Sequence, residues 1–360
     1  MSFYSHIIKP VLFRMDPEYV HDRFINLGSF LGKFNVTRKI VSSLCDYGDK
    51  SLEQNILGIH FKNPIGLAAG FDKNAELTDI IPSVGFGHME VGSVTNSPCK
   101  GNPKPRLWRL KNSKGLVVYY GLKNDGAEII SKRLANKEFD IPVSTSIAMT
   151  NCKENLDVQN AINDYVLGFK KFINIGDFFT INISCPNAEG GQPFMDPEKL
   201  DLLLNSLDKI ETSKPIFIKL SPDMSETEID NILEVAKKHR VHGVICSNLT
   251  KDRGNKNITD KNIENRGGIS GKPLQEISDK LLAYIYKKER DKFILIGCGG
   301  VFSAEDAYKK IRLGASLIQM ITGMIFEGPR VVGEINKGLV KLLKKDGYRN
   351  IEEAIGVDMK

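Results

Sequence analysis

Apolar positions fall into two textures along the chain. Over residues 1 to about 45, Tyr4, Ile7, Ile8, Val11, Leu12 and Phe13 recur at three-to-four spacing. Asp16-Pro17 has the cap and first-turn chemistry of a helix start, and Phe24, Ile25, Leu27, Phe30 and Leu31 continue the apolar face, so this stretch is predicted to be helical. From about residue 55 the pattern changes to short β-type runs at 65–69, 88–94, 143–149, 178–183, 216–220, 243–247, 293–297 and 317–322. Helix-like segments lie between them at 160–174, 196–211, 226–239, 274–288 and 304–312. Eight runs mostly alternating with helices predict an α/β fold, a parallel (β/α)8 TIM barrel with an N-terminal helical extension. A doubly wound open sheet is the alternative, but no G-x-G-x-x-G opens a helix after the first run. The expected division is a helical segment over 1–45 and a barrel over 46–360.

Composition narrows the class without choosing the architecture. Hydrophobic residues at 41% and charged residues at 26% of 360 positions fit a globular chain and exclude a disordered or fibrous one. A net charge of +6, with 15 Pro and 32 Gly dispersed along the chain, gives no nucleic-acid patch and no low-complexity segment. Cysteines 45, 99, 152, 185, 246 and 298 form no CxxC pair or Cys/His ligand spacing, which points to a reducing compartment and no structural metal. No apolar run reaches the roughly 20 residues that span a bilayer. The N-terminus lacks the long apolar core of a cleavable signal, and Asp16, Glu18 and Asp22 interrupt a transit-peptide pattern. Its helices serve either as a lid on the barrel or as a device lying on a membrane surface. Lys9, Arg14, Arg23, Lys33 and Arg38 are available for anionic headgroups in the second case.

Barrel enzymes carry their chemistry just after the strands, and polar residues cluster there. Ala69-Gly70-Phe71-Asp72-Lys73-Asn74 follows the first run, Gly92-Ser93-Val94-Thr95 ends the second, and Asn182 to Asn187 follows the fourth. Lys219 ends the fifth run, Ser247-Asn248 the sixth, Gly297-Cys298-Gly299-Gly300 the seventh and Thr322-Gly323 the eighth. Glycines after the last two runs, with the Ser270 to Pro273 turn, would let backbone N–H groups approach a phosphate. Lys73 and Lys219 at buried strand ends call for an anionic ligand or an electron-rich ring, unless each sits in a structural ion pair. Asn182, Asn187 and Asn248 suit a planar ligand rich in carbonyl and N–H groups. Cys185, where a strand opens into a loop, is placed to act as an acid or base; otherwise it is a small buried hydrophobe. The 188–193 segment lacks apolar periodicity and reads as a lid.

Several longer segments then stand out: Asp16-Pro-Glu-Tyr-Val-His21, Asn63-Pro-Ile-Gly-Leu-Ala-Ala-Gly-Phe-Asp-Lys-Asn74 and Gly101-Asn-Pro-Lys-Pro-Arg-Leu-Trp-Arg-Leu110. With Asn182-Ile-Ser-Cys-Pro-Asn187, Gly267-Gly-Ile-Ser-Gly-Lys-Pro-Leu-Gln275 and Gly314-Ala-Ser-Leu-Ile-Gln319, the chain closely resembles the dihydroorotate dehydrogenases. In architecture it is similar to the class 2, quinone-using branch. The resemblance implies an FMN enzyme that oxidises dihydroorotate to orotate in pyrimidine (UMP) biosynthesis. Ala69, Gly70, Ser93, Ser146, Asn182, Lys219, Ser247, Gly271, Gly300, Thr322 and Gly323 would hold FMN, and Lys73, Asn182, Asn187 and Asn248 the substrate. Cys185 would take the C5 proton while hydride leaves C6 for flavin N5. The N-terminal helices would bring quinone in, with His21 and Arg106 at the polar end. It further implies a peripheral membrane protein on the cytoplasmic face of the cell membrane, monomeric or weakly dimeric, with no nucleic-acid partner.

Several positions depart from the resemblance. Class 2 enzymes usually have Ser where Cys185 stands, and a thiol with an ordinary pKa near 8.5 ionises far more easily. Val118 stands where an amide is usual, Leu249 replaces a Thr, Ser146 an Asn and Ile321 a Tyr. These changes raise an FMN oxidoreductase for another cyclic amide or enone, or one using a soluble acceptor. A non-catalytic phosphate-binding barrel or membrane scaffold is the reading from another class.

Overall fold

The computed structural model describes residues 4–188 and 191–359. All eight predicted runs are strands of one closed parallel barrel. They are β1 (Ile65–Leu67), β2 (His88–Val94), β3 (Val143–Ile147), β4 (Phe178–Asn182), β5 (Ile216–Lys219), β6 (Gly243–Cys246), β7 (Ile294–Cys298) and β8 (Leu317–Met320). The five predicted helices are present at Val158–Lys170, Pro197–Asp208, Glu226–Ala236, Gln275–Glu289 and Ala304–Arg312. Their starts follow local capping chemistry: Asp157 and Asp196 accept from backbone N–H groups three residues on, and Ser225 forms a reciprocal capping box with Glu228.

Inside the barrel, alternate side chains fill stacked layers. Phe178, Phe217, Ile245, Ile296 and Leu317 pack with Phe61, which a short hairpin (Gln54–Ile56 with Ile59–Phe61) delivers to the barrel's N-terminal end. Gly66 on β1 has a packing reason: a Cβ there would meet the His88 ring at 2.1 Å.

The apolar pattern does not reveal a three-stranded antiparallel sheet, Leu107–Leu110, Gly115–Val118 and Gly268–Gly271. Its residues Leu107, Leu116, Val118, Ser270 and Gly271 wall the cavity at the C-terminal rim.

The N-terminal segment is helical as expected, with main helices Pro17–Gly32 and Asn35–Cys45. Asp16 caps the first by accepting from Tyr19 N at 2.8 Å. Its inner face lies tight on the barrel: a Cβ on Gly28 would meet Leu77 at 2.7 Å, and one on Gly32 would meet Asp79 at 3.1 Å. The outer face stays apolar and open, with Phe30 57%, Val36 69%, Ile40 54% and Leu44 57% exposed. Among the described residues, no helix is long and apolar enough to cross a membrane.

Candidate active site

The strand ends and the antiparallel sheet border a cleft that opens to solvent. Of the residues singled out from the sequence, Cys185, Lys73, Asn182, Asn187, Asn248, Ala69, Gly70, Ser93, Lys219, Ser247, Gly271, Gly300, Thr322, Gly323 and His21 all line it. Two do not. Ser146 is buried behind the wall, where its hydroxyl meets Ser93 Oγ at 2.8 Å. Arg106 sits outside the lining of the cleft. Its Nε and Nη2 donate to Glu18 at 2.8–3.2 Å, and its Nη1 donates to the carbonyls of Lys100 and Asn102, both at 2.9 Å. A guanidinium so fully engaged, and 5% exposed, docks the N-terminal helix instead of facing the cleft.

Register explains how the polar wall is built. The β4–β5 pairing sets Asn182 opposite Lys219. Asn182 Nδ2 donates to Ser93 Oγ at 2.8 Å, and Asn182 Oδ1 accepts from Asn248 Nδ2 at 3.1 Å. Asn248 Nδ2 also donates to Ser184 Oγ at 3.1 Å, and its Oδ1 accepts from Leu249 N at 2.9 Å. Asn187 Nδ2 donates to Val118 O at 2.9 Å, and among the described residues the buried Asn187 Oδ1 has no partner. That oxygen is an acceptor waiting for a donor.

The two lysines are not in structural ion pairs: among the described residues, no carboxylate oxygen lies within 4.0 Å of Lys73 or Lys219. Lys219 is 5% exposed. Lys73 Nζ lies over the Tyr120 ring, 4.1 Å from its centroid, and 3.4 Å from His21 Nε2. Burial, reinforced by Lys123, lowers its pKa to about 7 against the pull of Asp22, Glu18 and Asp72. A buried Lys219 and a partly buried Lys73, with no carboxylate in contact among the described residues, make the cleft a receptor for an anionic or electron-rich ligand.

Cys185 differs from the sequence expectation in its protonation. Burial pushes its thiol up to about 11, although the Asn187 and Ala188 backbone N–H groups favour the thiolate. The sequence points to an easily ionised group near 8.5; the folded site keeps the thiol protonated at neutral pH. The loop expected to act as a lid begins at Ala188, but Glu189 and Gly190 lie outside the described residues.

Beyond Gly70, at φ +107°, the nearest outside atom to an added Cβ is Ile321 Cδ1 at 3.9 Å, so a side chain there would enter the cleft. Gly299 and Gly300, also at positive φ, turn the chain after β7, and Thr322 Oγ1 meets Ser270 Oγ at 2.9 Å. A planar ligand with a terminal phosphate matches that shape. Sequence reasoning leaves Tyr120 and Lys123 without a role, yet both line the cleft, as does the side chain of Ser270, which the sequence places only in a backbone turn. Tyr120 and Ser270 belong to the unpredicted sheet and the turn after it, and no period-2 pattern marks so short an insertion.

The sequence profile described as "Dihydroorotate dehydrogenase" matches residues 51–343. "Dihydroorotate dehydrogenase (quinone)" of Natronomonas pharaonis is 38% identical and covers 100% of both chains. The protein of the same description from Bartonella tribocorum is 40% identical over 98% of this chain and 96% of its own. A crystal structure of DHODH from Eimeria tenella in complex with ferulenol superposes with a TM-score of 0.87 at 29% identity, covering 98% of this chain and 99% of that one. The ligand-free form from the same organism gives 0.86 at 30% identity, covering 96% and 100%.

Proposed function

The chain belongs to the dihydroorotate dehydrogenase family, and from that membership we propose how its own residues perform the family's reaction. The protein is an oxidoreductase that converts dihydroorotate to orotate in pyrimidine biosynthesis with a quinone as electron acceptor. The family is flavin-dependent, and the flavin proposed here is FMN. Lys219 without a counter-charge, the open space beside Gly70, and the glycine turns at Gly271 and Gly300 next to Thr322 support that assignment. Bound there, FMN would supply a two-electron acceptor. Ala69, Ser93, Ser247 and Gly323 would complete its cradle, with Ser146 acting through Ser93.

The observation that carries the reading is that Cys185, Lys73, Lys219 and Asn187 share one cleft in which, among the described residues, neither lysine has a carboxylate within 4.0 Å and Asn187 Oδ1 has no hydrogen-bond partner. Lys73 is proposed to hold the substrate carboxylate and Asn187 Oδ1 to accept a ring N–H. Asn182 and Asn248, tied together, fix the wall against which the ring lies. Cys185 Sγ is proposed to take the C5 proton, with the surrounding wall excluding water. To check the cofactor, the pigment released by denaturing the purified protein should co-migrate with FMN. Co-migration with FAD, or colourless protein that takes up no FMN, would overturn this part.

Val118 and Leu249 leave part of the wall apolar. Val118→Asn is expected to lower the KM for dihydroorotate by roughly tenfold, the value of about one added hydrogen bond. An unchanged or higher KM in steady-state assays would remove position 118 from substrate recognition.

Peripheral membrane attachment is proposed for the outer face of the N-terminal helices, where Phe30, Val36, Ile40 and Leu44 are each more than half exposed. Burying one such side chain contributes about 1.5–3 kcal/mol. Phe30→Ser with Val36→Ser is therefore expected to weaken sedimentation with anionic vesicles at least tenfold at unchanged flavin content. Equal sedimentation of both proteins would show that this face does not meet lipid.

A further inference from the structure

A quinone becomes a quinol by taking two electrons and two protons. Dihydroorotate gives up two electrons and two protons, but the one leaving C5 ends on Cys185, on the substrate side of the cleft. The quinol therefore needs a second proton donor, and Lys73, once the substrate carboxylate has left it, meets the N-terminal helix at His21. Three side chains there are in register from solvent to cleft. Asp22 has a side chain 47% exposed, and its Oδ1 lies 3.3 Å from His21 Nδ1. The His21 side chain is 14% exposed, and its Nε2 lies 2.8 Å from Phe71 O and 3.4 Å from Lys73 Nζ. Lys73 lines the cleft, with its ammonium over the Tyr120 ring.

We propose that Asp22, His21 and Lys73 form a proton path from solvent into the cleft, and that Lys73 gives the second proton of the quinol. The inference rests on the quinone reading above. An Nζ–H bond of Lys73 breaks as the quinol O–H forms, leaving a neutral amine. His21 Nε2 returns a proton to that amine while Nδ1 takes one from solvent beside the Asp22 carboxylate, which leaves the Nδ1–H tautomer; loss of that proton to solvent and protonation of Nε2 then reset the ring. Phe71 O holds the ring with Nε2 towards the lysine, and a donor within reach of its acceptor is what general acid catalysis requires.

The surroundings suit a group that gains and loses a proton near neutrality. Burial and then Lys123 favour the neutral amine of Lys73, while Asp22, Glu18 and Asp72 favour the ammonium. For His21, burial and then Lys73 favour the neutral ring, against Asp22 and Phe71 O. Because the donor must carry its proton, quinol formation should slow as pH rises through about 7.

The test separates the acceptor step from the substrate step. Enzyme reduced with dithionite is mixed in stopped flow with a short-chain ubiquinone, or with ferricyanide, which takes electrons without protons. Expected for Lys73→Met is a fall of about 100-fold in the ratio of quinone to ferricyanide rates, within the usual range for a general acid. The decline above neutral pH expected of the unsubstituted protein should also be absent from this variant. Asp22→Asn should lower the ratio by about tenfold and keep the flavin. In 15N-histidine NMR, the His21 titration should move up in Lys73→Met, because a neighbouring positive charge is removed. Unchanged ratios, or equal slowing with both acceptors, would overturn the path, as would an unmoved His21 titration. If the unsubstituted protein reacts with ferricyanide and not with ubiquinone, the quinone reading itself fails.

Discussion

Replacing Cys185 by Ala is expected to slow reduction of the bound flavin by dihydroorotate by about 10²–10⁴-fold, the usual contribution of a positioned base. Flavin binding should be retained, because Cys185, on the loop after β4, is not among the residues proposed to cradle the flavin. The pH dependence gives the sign. A base works when deprotonated, and burial raises the Cys185 thiol to about 11. Flavin reduction in the unsubstituted protein should therefore climb with pH from neutrality towards that value, by about tenfold per unit while the thiol remains mostly protonated. Cys185→Ser should keep part of the activity, with the rise displaced to higher pH. Single-turnover stopped flow with dihydroorotate measures all three proteins, and equal rates would remove Cys185 from the mechanism.

Arg106→Ala is expected to have the largest effect on stability. The guanidinium and Glu18 form a buried pair between the first N-terminal helix and the barrel, with Lys104 and Lys123 at 3.5 and 3.7 Å from the same carboxylate oxygen. Removing one partner of a buried pair costs about 3–5 kcal/mol, because the other charge stays behind in a poor solvent. The two lysines place this case towards the lower end. Quinone turnover should fall with it as the helix loosens, while flavin reduction by dihydroorotate persists. The double variant Glu18→Leu, Arg106→Met should recover much of the loss, because it strands no charge. Burial raises the Glu18 pKa, but hydrogen bonding and charge from Arg106, then Lys104 and Lys123, leave it below the ordinary value. A depressed carboxylate stabilises the fold above its unfolded pKa, near 4.3, and that contribution is lost as pH falls below it. Thermal melts of the three proteins at neutral and mildly acidic pH measure this. A melting temperature in Arg106→Ala equal to that of the unsubstituted protein would show that the pair does not hold the helix.

What the sequence reveals and what it hides separate along physical lines. The barrel strands are buried on both sides, so their apolar runs are nearly continuous, and all eight are legible with ends shifted by only a few residues. The sheet formed by 107–110, 115–118 and 268–271 escapes for the opposite reason. Its strands are four residues long, partly exposed at Trp108 and Arg109, and completed by a partner some 150 positions later in the chain. The rim residues are legible because a barrel puts its chemistry where strands end. Their partners are not. Nothing local in the sequence shows that Glu18, 88 positions from Arg106, reaches its guanidinium. Lys73 and His21 are 52 positions apart and meet only in the fold. The protonation state of Cys185 is likewise a property of burial, which a tetrapeptide cannot disclose.

The most direct test of the account is the visible spectrum of the purified protein under strict anaerobiosis. Adding dihydroorotate should bleach the flavin absorbance, and adding ubiquinone afterwards should restore it, with one orotate and one quinol formed per flavin. Absorbance that stays unchanged at millimolar dihydroorotate, in protein whose flavin dithionite reduces normally, would contradict it.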